Sequence, residues 1–599
     1  MIKRHVKVDQ AFEVGTARGL LGPDSIISSR IFIWALLISL LGYLAYASTQ
    51  GMSPYDEGLM CYGAEKVLHG AVPYRDFWTV YGPGQYYLLA AMFRVFGISL
   101  LVARIYTFTV EWVVVVLAYS ISRKLTSPLG GLVSGIAITL WLCVVRSVLY
   151  PPIPALLFSL AAFLAIADSP PRLKRNALAG ILVGFAILVR HDIGVYAFLG
   201  LSVTIVGREF FDSADGITPT SSRIARAIKW TLPHSIGMLA VVLPVIVALL
   251  RTVPRDLLYE SFVYFPFRIY PQFRSLPFPL ASDFSSSGAG ISLHVLLHVS
   301  QDFLIFGVPL LILSAAAFFA FLNWQKGKLR LDRYWLAVGL TAFGFFMILS
   351  VRVRPDSVHF VVPTTVALIL FPWILTSIST SPAMRPLSLS LRAFLIVCVS
   401  LLSLLCVARR VHSLWLVRDS ARLQSIGIDR AKGISVVRDG DIDDLVTAIQ
   451  YVQRRVPPGG VIYVGNMRHD KIFVSNGIFY FLSGRSSATR YAELHPGVAT
   501  TAKVQSEIIN DLKVHKVEYI VLWLAPTPEE PNRSAESSGV TILDDFIRAN
   551  YKHVAEFGSY TILCRSDAAQ IGAVSVNSQS PLRTSSALIS RPFEREALN

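Results

Sequence analysis

Two adjacent carboxylates, Asp56 and Glu57, follow the first long apolar run of this 599-residue chain, in the stretch SPYDEGLMCYGAEKVLHGAVPYRDFWTVYGPGQYYLL. Ionisable groups at the edge of a spanning helix are expensive to hold and tend to mark function. One such carboxylate can act as a general base that activates an acceptor hydroxyl, with the other as its partner. Ser53-Pro54-Tyr55-Asp56 also matches an S-x-x-D helix start with proline in the first turn. The two readings are compatible, because a cap can hold a catalytic acid rigid. Two more clusters could carry charge chemistry: Arg190-His191-Asp192, squeezed between apolar runs, and Arg352, Arg354, Asp356 and His359. The planar guanidinium fork suits a phosphate, while the plainer alternative is an arginine that snorkels or meets lipid headgroups. Arg104 and Arg146 are further candidate phosphate contacts. Arg75, Asp76 and Tyr81 lie in turns that the neighbouring Pro and Gly enforce. The Arg75–Asp76 pair orients a sugar or, more simply, staples the loop.

These residues need a membrane frame to position them. The chain is 53% hydrophobic and 16% charged, against roughly 25% charged in soluble domains, and its apolar residues are gathered in runs. About eleven runs approach spanning length, near 31–49, 99–121, 129–146, 150–167, 176–190, 193–207, 233–250, 301–323, 334–351, 359–378 and 389–408. The run 86–96 is about half a span and reads as a re-entrant or interfacial helix ending at Gly97. A net charge of +16 raises the idea of nucleic acid, but the basic residues cluster in alternate loops between spans. Arg123 and Lys124, then Arg172, Lys174 and Arg175, then Arg208, Arg223, Arg226 and Lys229, then Lys326, Lys328, Arg330 and Arg333, and finally Arg385 and Arg392 keep one phase. By the positive-inside rule this predicts a multi-pass plasma- or inner-membrane protein with a cytoplasmic N-terminus and an extracytoplasmic C-terminal domain. Asp56, Arg190 and the 352–359 segment then share the outer face.

The expected organisation is a cytoplasmic segment over 1–30, a membrane domain over 31–408 with outer loops 50–98 and 251–300, an extracytoplasmic α/β domain over 409–566, and a disordered tail over 567–599. In the third part, helices near 441–455, 503–513 and 542–549 alternate with strands near 461–464, 519–524, 553–557 and 560–564, the pattern of a small three-layer unit. It has no GxGxxG phosphate loop. The aromatic segment 257–280 reads first as an interfacial belt, and second as a cover over a lipid or sugar groove. The five cysteines imply no disulfide framework.

The run DEGLMCYGAEKVLHGAVPYRD…YGPGQYYLLAAMFRVFG…AR resembles the first outer loop of GT-C membrane glycosyltransferases, in particular the bacterial protein O-mannosyltransferase-like and aminoarabinose transferase-like enzymes. The likeness covers about the first 120 residues and extends loosely to R-x-D-x-x-H at Arg354, Asp356 and His359. It implies a polytopic α-helical GT-C-like enzyme that moves a sugar from a polyprenyl-phosphate donor to a hydroxyl of a glycan, lipid or protein acceptor at the outer face. Asp56 maps onto the family's base with Glu57 beside it, and Arg354 and His359 fall where the family places donor-phosphate contacts. The 147–150 loop lacks the second carboxylate that several relatives carry there, so divalent metal use stays open. The rival reading is a lipid-linked sugar transporter or flippase using the acids as a proton relay, but no internal repeat supports it.

Overall fold

The computed structural model describes Ile38, Gly42 and residues 52–567 apart from 54, 146–148, 169–171, 212–219, 280–292, 326–331, 381–387, 417–422, 438–439 and 527–529. The expected cytoplasmic segment, nearly all of the first span, Arg146 and the tail lie outside these residues. Two helices precede the membrane bundle: α1 (Asp56–Leu68) and α2 (Pro83–Phe96). Proline opens α2, and Gly97 at φ 88° ends it, as the half-span reading anticipates.

Ten helices then run back and forth among the described residues. They are α3 (Leu100–Leu125), α4 (Pro128–Val145), α5 (Pro152–Ala165), α6 (Leu173–Val189), α7 (His191–Phe211) and α8 (Thr220–Thr252), followed by the stretch after the 280–292 gap and three more. That stretch is α10 (Leu293–Asp302) running through a π-helical turn into α11 (Val308–Gln325), and the last three are α12 (Asp332–Val351), α13 (Val361–Thr380) and α14 (Ser388–Leu416). Between α8 and α10 lie a short α9 (Arg255–Tyr259), a π-helix over Glu260–Ile269 and a turn at Tyr270–Phe273. Seven of these helical stretches are long and apolar enough to cross a membrane, while α4 and α5 are shorter apolar helices. The run expected at 233–250 is the second half of the 33-residue α8. Apolar side chains of α8 and α14 such as Ile236, Leu250, Leu401 and Leu404 stay exposed, as lipid-facing ones do.

Contacts at the helix ends sort the bundle into two rims. Lys124 pairs with Asp168, and Arg175 lies 3.5 Å from the same carboxylate. At the opposite rim the end of α6 meets Gly82 and Gly84, the start of α3 meets Gly433 of the C-terminal domain, and Ser350 at the end of α12 bonds Asp192 at the start of α7. Arg123, Lys124, Arg172, Arg175 and Arg208 thus lie at one rim and Asp56, Arg190 and His359 at the other, the separation that the loop charges imply.

The C-terminal domain holds a five-stranded sheet in the order β4 (Ser486–Ser487), β3 (Val461–Asn466), β5 (Tyr519–Trp523), β7 (Tyr560–Arg565), β6 (Tyr551–Phe557). β3 runs parallel to β4 and β5, and β7 runs antiparallel to both of its neighbours. Alternation across the sheet makes three layers. Ile462, Val464, Val521 and Ile562 pack with α15 (Gly440–Arg455) and α16 (Gly477–Ser483), while Tyr463 and Ile520 pack with α17 (Ala502–Val514) and α18 (Ile542–Asn550). The sequence pattern anticipates this architecture but not α16, β4 or the antiparallel pair β1 (Leu423–Ser425) and β2 (Ser435–Val437).

One close contact fixes the domain to the membrane part. A Cβ at Gly58 of α1 would fall 2.0 Å from the Ile478 nitrogen of α16, so only glycine lets these two backbones meet. Arg430 clamps Glu65 of α1 with two bonds of 2.7 and 2.8 Å, and the Ser487 N–H donates to Tyr62 Oη over 2.7 Å.

Candidate active site

The acidic pair divides. Helix α1 begins at Asp56 with Tyr55 in the cap position and no side-chain cap. The expected Ser53 cap therefore does not form; instead the Glu57 carboxylate accepts the Ser53 N–H over 3.1 Å. Glu57 is fully buried and forms a two-pronged ion pair with Arg104 of α3, Nε to Oε1 and Nη2 to Oε2. That pair ties α1 to the bundle. Asp56, one residue earlier, is partly exposed, and its Oδ1 accepts the Tyr81 hydroxyl over 3.1 Å.

Tyr81 is aimed by its turn. The Tyr74 Oη donates to the Tyr81 carbonyl over 2.8 Å, with Tyr74 held in the left-handed region at φ 70°. The following Gly82 rests on the end of α6, where a Cβ would sit 2.3 Å from the Leu188 carbonyl oxygen. Beyond Leu188, the Arg190 guanidinium lies 5.9 Å from the centre of the Tyr81 ring. Its Nε bonds Asp192 over 3.0 Å, and Asp192 also accepts from Ser350. Arg75 and Asp76 pair with each other at the surface of the turn, with Asp76 also accepting the Val72 N–H. They bind the loop to itself. His191 stacks edge-on against Phe262, and Arg352 is exposed.

The R-x-D-x-x-H segment folds back on itself. Arg354 Nε bonds Asp356 over 2.9 Å, and His359 Nδ1 lies 2.7 Å from the other oxygen of Asp356. The Nε2 of His359 lies 3.2 Å from Tyr270 Oη. Burial works to raise the Asp356 carboxyl, but His359 and Arg354 outweigh it and hold it down at about 2. The rest of the Arg354 fork grips Glu530 of the C-terminal domain over 2.6 and 2.8 Å, and Arg274 lies 3.9 Å from the same carboxylate.

Asp56 feels this cluster. Burial pushes its carboxyl above the ordinary value, the Tyr81 hydrogen bond and the charges of His359 and Arg274 oppose the rise, and Asp356 adds to it. A partly exposed carboxylate of enhanced basicity, facing cations at the rim of an apolar bundle, has the properties of a general base for a charged substrate.

Several residues here escape sequence reasoning. Tyr270 and Arg274 belong to the aromatic 257–280 segment, which does two things at once: Phe265 is buried beside Trp78 and His495, whereas Tyr264 and Phe267 are exposed. Glu530 and Glu493 lie far along the chain without a local motif, and Tyr55 looks only like a helix flank. Among the described residues no group of three His, Cys, Asp or Glu side chains is arranged to hold a metal ion.

The chain is similar in structure to the crystal structure of ArnT from Cupriavidus metallidurans in the apo state, with a TM-score of 0.50 at 12% identity, covering 89% of this chain and 98% of that one. This chain has a GT-C fold. Looser likenesses reach the Archaeoglobus fulgidus oligosaccharyltransferase in complex with Zn and sulfate (TM-score 0.46, 10% identity, 88% of this chain and 73% of that one) and the mycobacterial arabinofuranosyltransferase AftD (0.48, 12%, 90% and 40%). No protein-family model and no curated protein sequence matches the chain.

Proposed function

We propose that this GT-C chain is a membrane glycosyltransferase that moves a sugar from a polyprenyl-phosphate donor to an acceptor hydroxyl on the outer face, with inversion. The carrying observation is Asp56, a rim carboxylate of raised pKa held by Tyr81 and facing Arg274, His359 and Asp356. In this reading Asp56 takes the acceptor's hydroxyl proton as the oxygen attacks the anomeric carbon. The bond from that carbon to the phosphate oxygen breaks, and polyprenyl phosphate leaves as an anion. Positive charge beside the leaving phosphate stabilises the transition state, commonly a large term in catalysis. Arg354 is the natural contact, with Arg274 and His359 beside it. The Glu530 carboxylate now occupies the fork of Arg354, so an arriving phosphate takes its place there. Arg190, fixed by Asp192, holds the Tyr81 ring and acts one step removed.

Glu57 and Arg104 serve this reading as structure, because their buried pair positions the helix that carries Asp56. The test is reconstitution of the purified chain in lipid with a polyprenyl-phosphate sugar and candidate acceptors. Glycosylated acceptor and free polyprenyl phosphate in equal amounts, formed without an ion gradient, are expected. Movement of intact lipid-linked sugar across the bilayer, abolished by a protonophore, would support the transporter instead.

A further inference from the structure

The transfer site leaves the buried carboxyl of Glu493 unused. Glu493 sits between β4 and α17 in the C-terminal domain, with 2% of its surface exposed. Its Oε1 accepts the hydroxyl of Tyr55 over 2.9 Å. Tyr55 immediately precedes Asp56, and its carbonyl accepts the first helical bond of α1 from the Leu59 N–H. The segment around Glu493 is stitched to the same loop at two other points: the Trp78 N–H donates to the Arg490 carbonyl over 2.8 Å, and Arg490 Nη1 to the Tyr74 carbonyl over 3.2 Å. So a carboxyl from a separate domain is pinned to the residue that begins the helix of the proposed base.

We propose that Glu493 is a positioning residue of the transfer site, supplied by the C-terminal domain, which acts through Tyr55 to fix the start of α1 and with it the Asp56 carboxylate. This rests on the glycosyltransferase reading. The groups that face Glu493 are Tyr55, Asp56 and Arg274, with Tyr81 and Tyr86 beyond them. Burial raises the Glu493 carboxyl to about 8; the Tyr55 hydrogen bond and Arg274 oppose the rise, and the negative charge of Asp56 adds to it. At neutral pH an uncharged Glu493 accepts the Tyr55 hydroxyl without drawing Arg274 away from the site. Above about 8 it becomes a second anion beside Asp56, which repels the base and an arriving phosphate alike.

The experiment is the pH profile of kcat for the full-length chain in lipid, for the wild type, Glu493→Gln and Glu493→Leu. Wild-type kcat is expected to fall above about pH 8. Glu493→Gln keeps an oxygen for Tyr55 and cannot ionise. It should lose about two- to fivefold at pH 7, and the alkaline fall should vanish. Glu493→Leu should lose on the order of tenfold or more in kcat, with the KM for donor nearly unchanged. A Glu493→Gln profile that keeps the wild-type alkaline limb overturns the proposal, as does Glu493→Leu with wild-type kcat. Should the leucine variant fail to fold, the glutamine profile decides alone. A wild type that transfers no sugar at any pH overturns the parent reading and this one together, whereas an active wild type with an unmoved limb overturns only the role of Glu493.

Discussion

Among the described residues stand two Asp–His–Tyr chains of hydrogen bonds, one in the core of the C-terminal domain and one at the rim of the membrane bundle. In the domain, His469 Nδ1 lies 2.7 Å from Asp544 and Nε2 2.8 Å from Tyr463 Oη, with the imidazole wholly enclosed. At the rim, His359 makes the same 2.7 Å contact with Asp356 and a looser 3.2 Å contact with Tyr270, and its side chain is 20% exposed. The first trio joins β3 to α18 through the enclosed His469. The second spans two segments, borders two arginines and lies within the field of Asp56. One set of side-chain types therefore builds a packing device where the imidazole is enclosed, and a candidate binding surface where it stays partly exposed. The acids Asp56 and Glu57 divide in the same way across a single peptide bond.

The largest expected effect comes from the enclosed side of that contrast. Glu57→Ala breaks the buried ion pair with Arg104 and should destabilise the chain by ~3–5 kcal/mol, seen as a large drop in Tm or in folded yield. If Glu57→Ala instead folds normally and only activity falls, the division between the two acids fails. Next come the two histidines, compared in one experiment. His359→Gln should lower transfer on the order of tenfold or more, with little change in Tm. His469→Gln should cost about 1–3 kcal/mol of stability by disturbing a buried network, while the folded fraction keeps its kcat. The reverse pattern would exchange the roles of the two trios. The smallest effect belongs to Glu530→Gln, which weakens the competitor on the Arg354 fork. The KM for the lipid-phosphate donor should fall about two- to fivefold, and a rise would mean that Glu530 helps to form the site.

The same contrast explains how much could be read in advance. Apolar runs and alternate basic loops carry local signals, so ten of the eleven expected spans correspond to described helices, and the first lies outside them. Asp56, Tyr81, Arg190, Arg354 and His359 lie beside turns and charges that break the apolar pattern, and the fold brings their segments to one rim. Glu57 was indistinguishable from Asp56 by sequence, because only the approach of α3 decides which acid meets Arg104. Arg75–Asp76 is a local staple, as adjacent residues in a turn allow. Glu493 and Glu530 had no readable sign, since each reaches the site through docking of a domain, 438 and 176 residues along the chain from its partner. The Gly58–Ile478 contact that sets this docking is likewise invisible until both backbones are in place.

The most direct test of the central claim is Asp56→Asn in the full-length protein, assayed in lipid with a polyprenyl-phosphate sugar. The amide keeps the size of the side chain and an oxygen for the Tyr81 hydroxyl but cannot take a proton. Loss of transfer by about 10²–10⁴-fold with an unchanged melting temperature is expected of a general base. Transfer within about twofold of wild type would contradict the assignment.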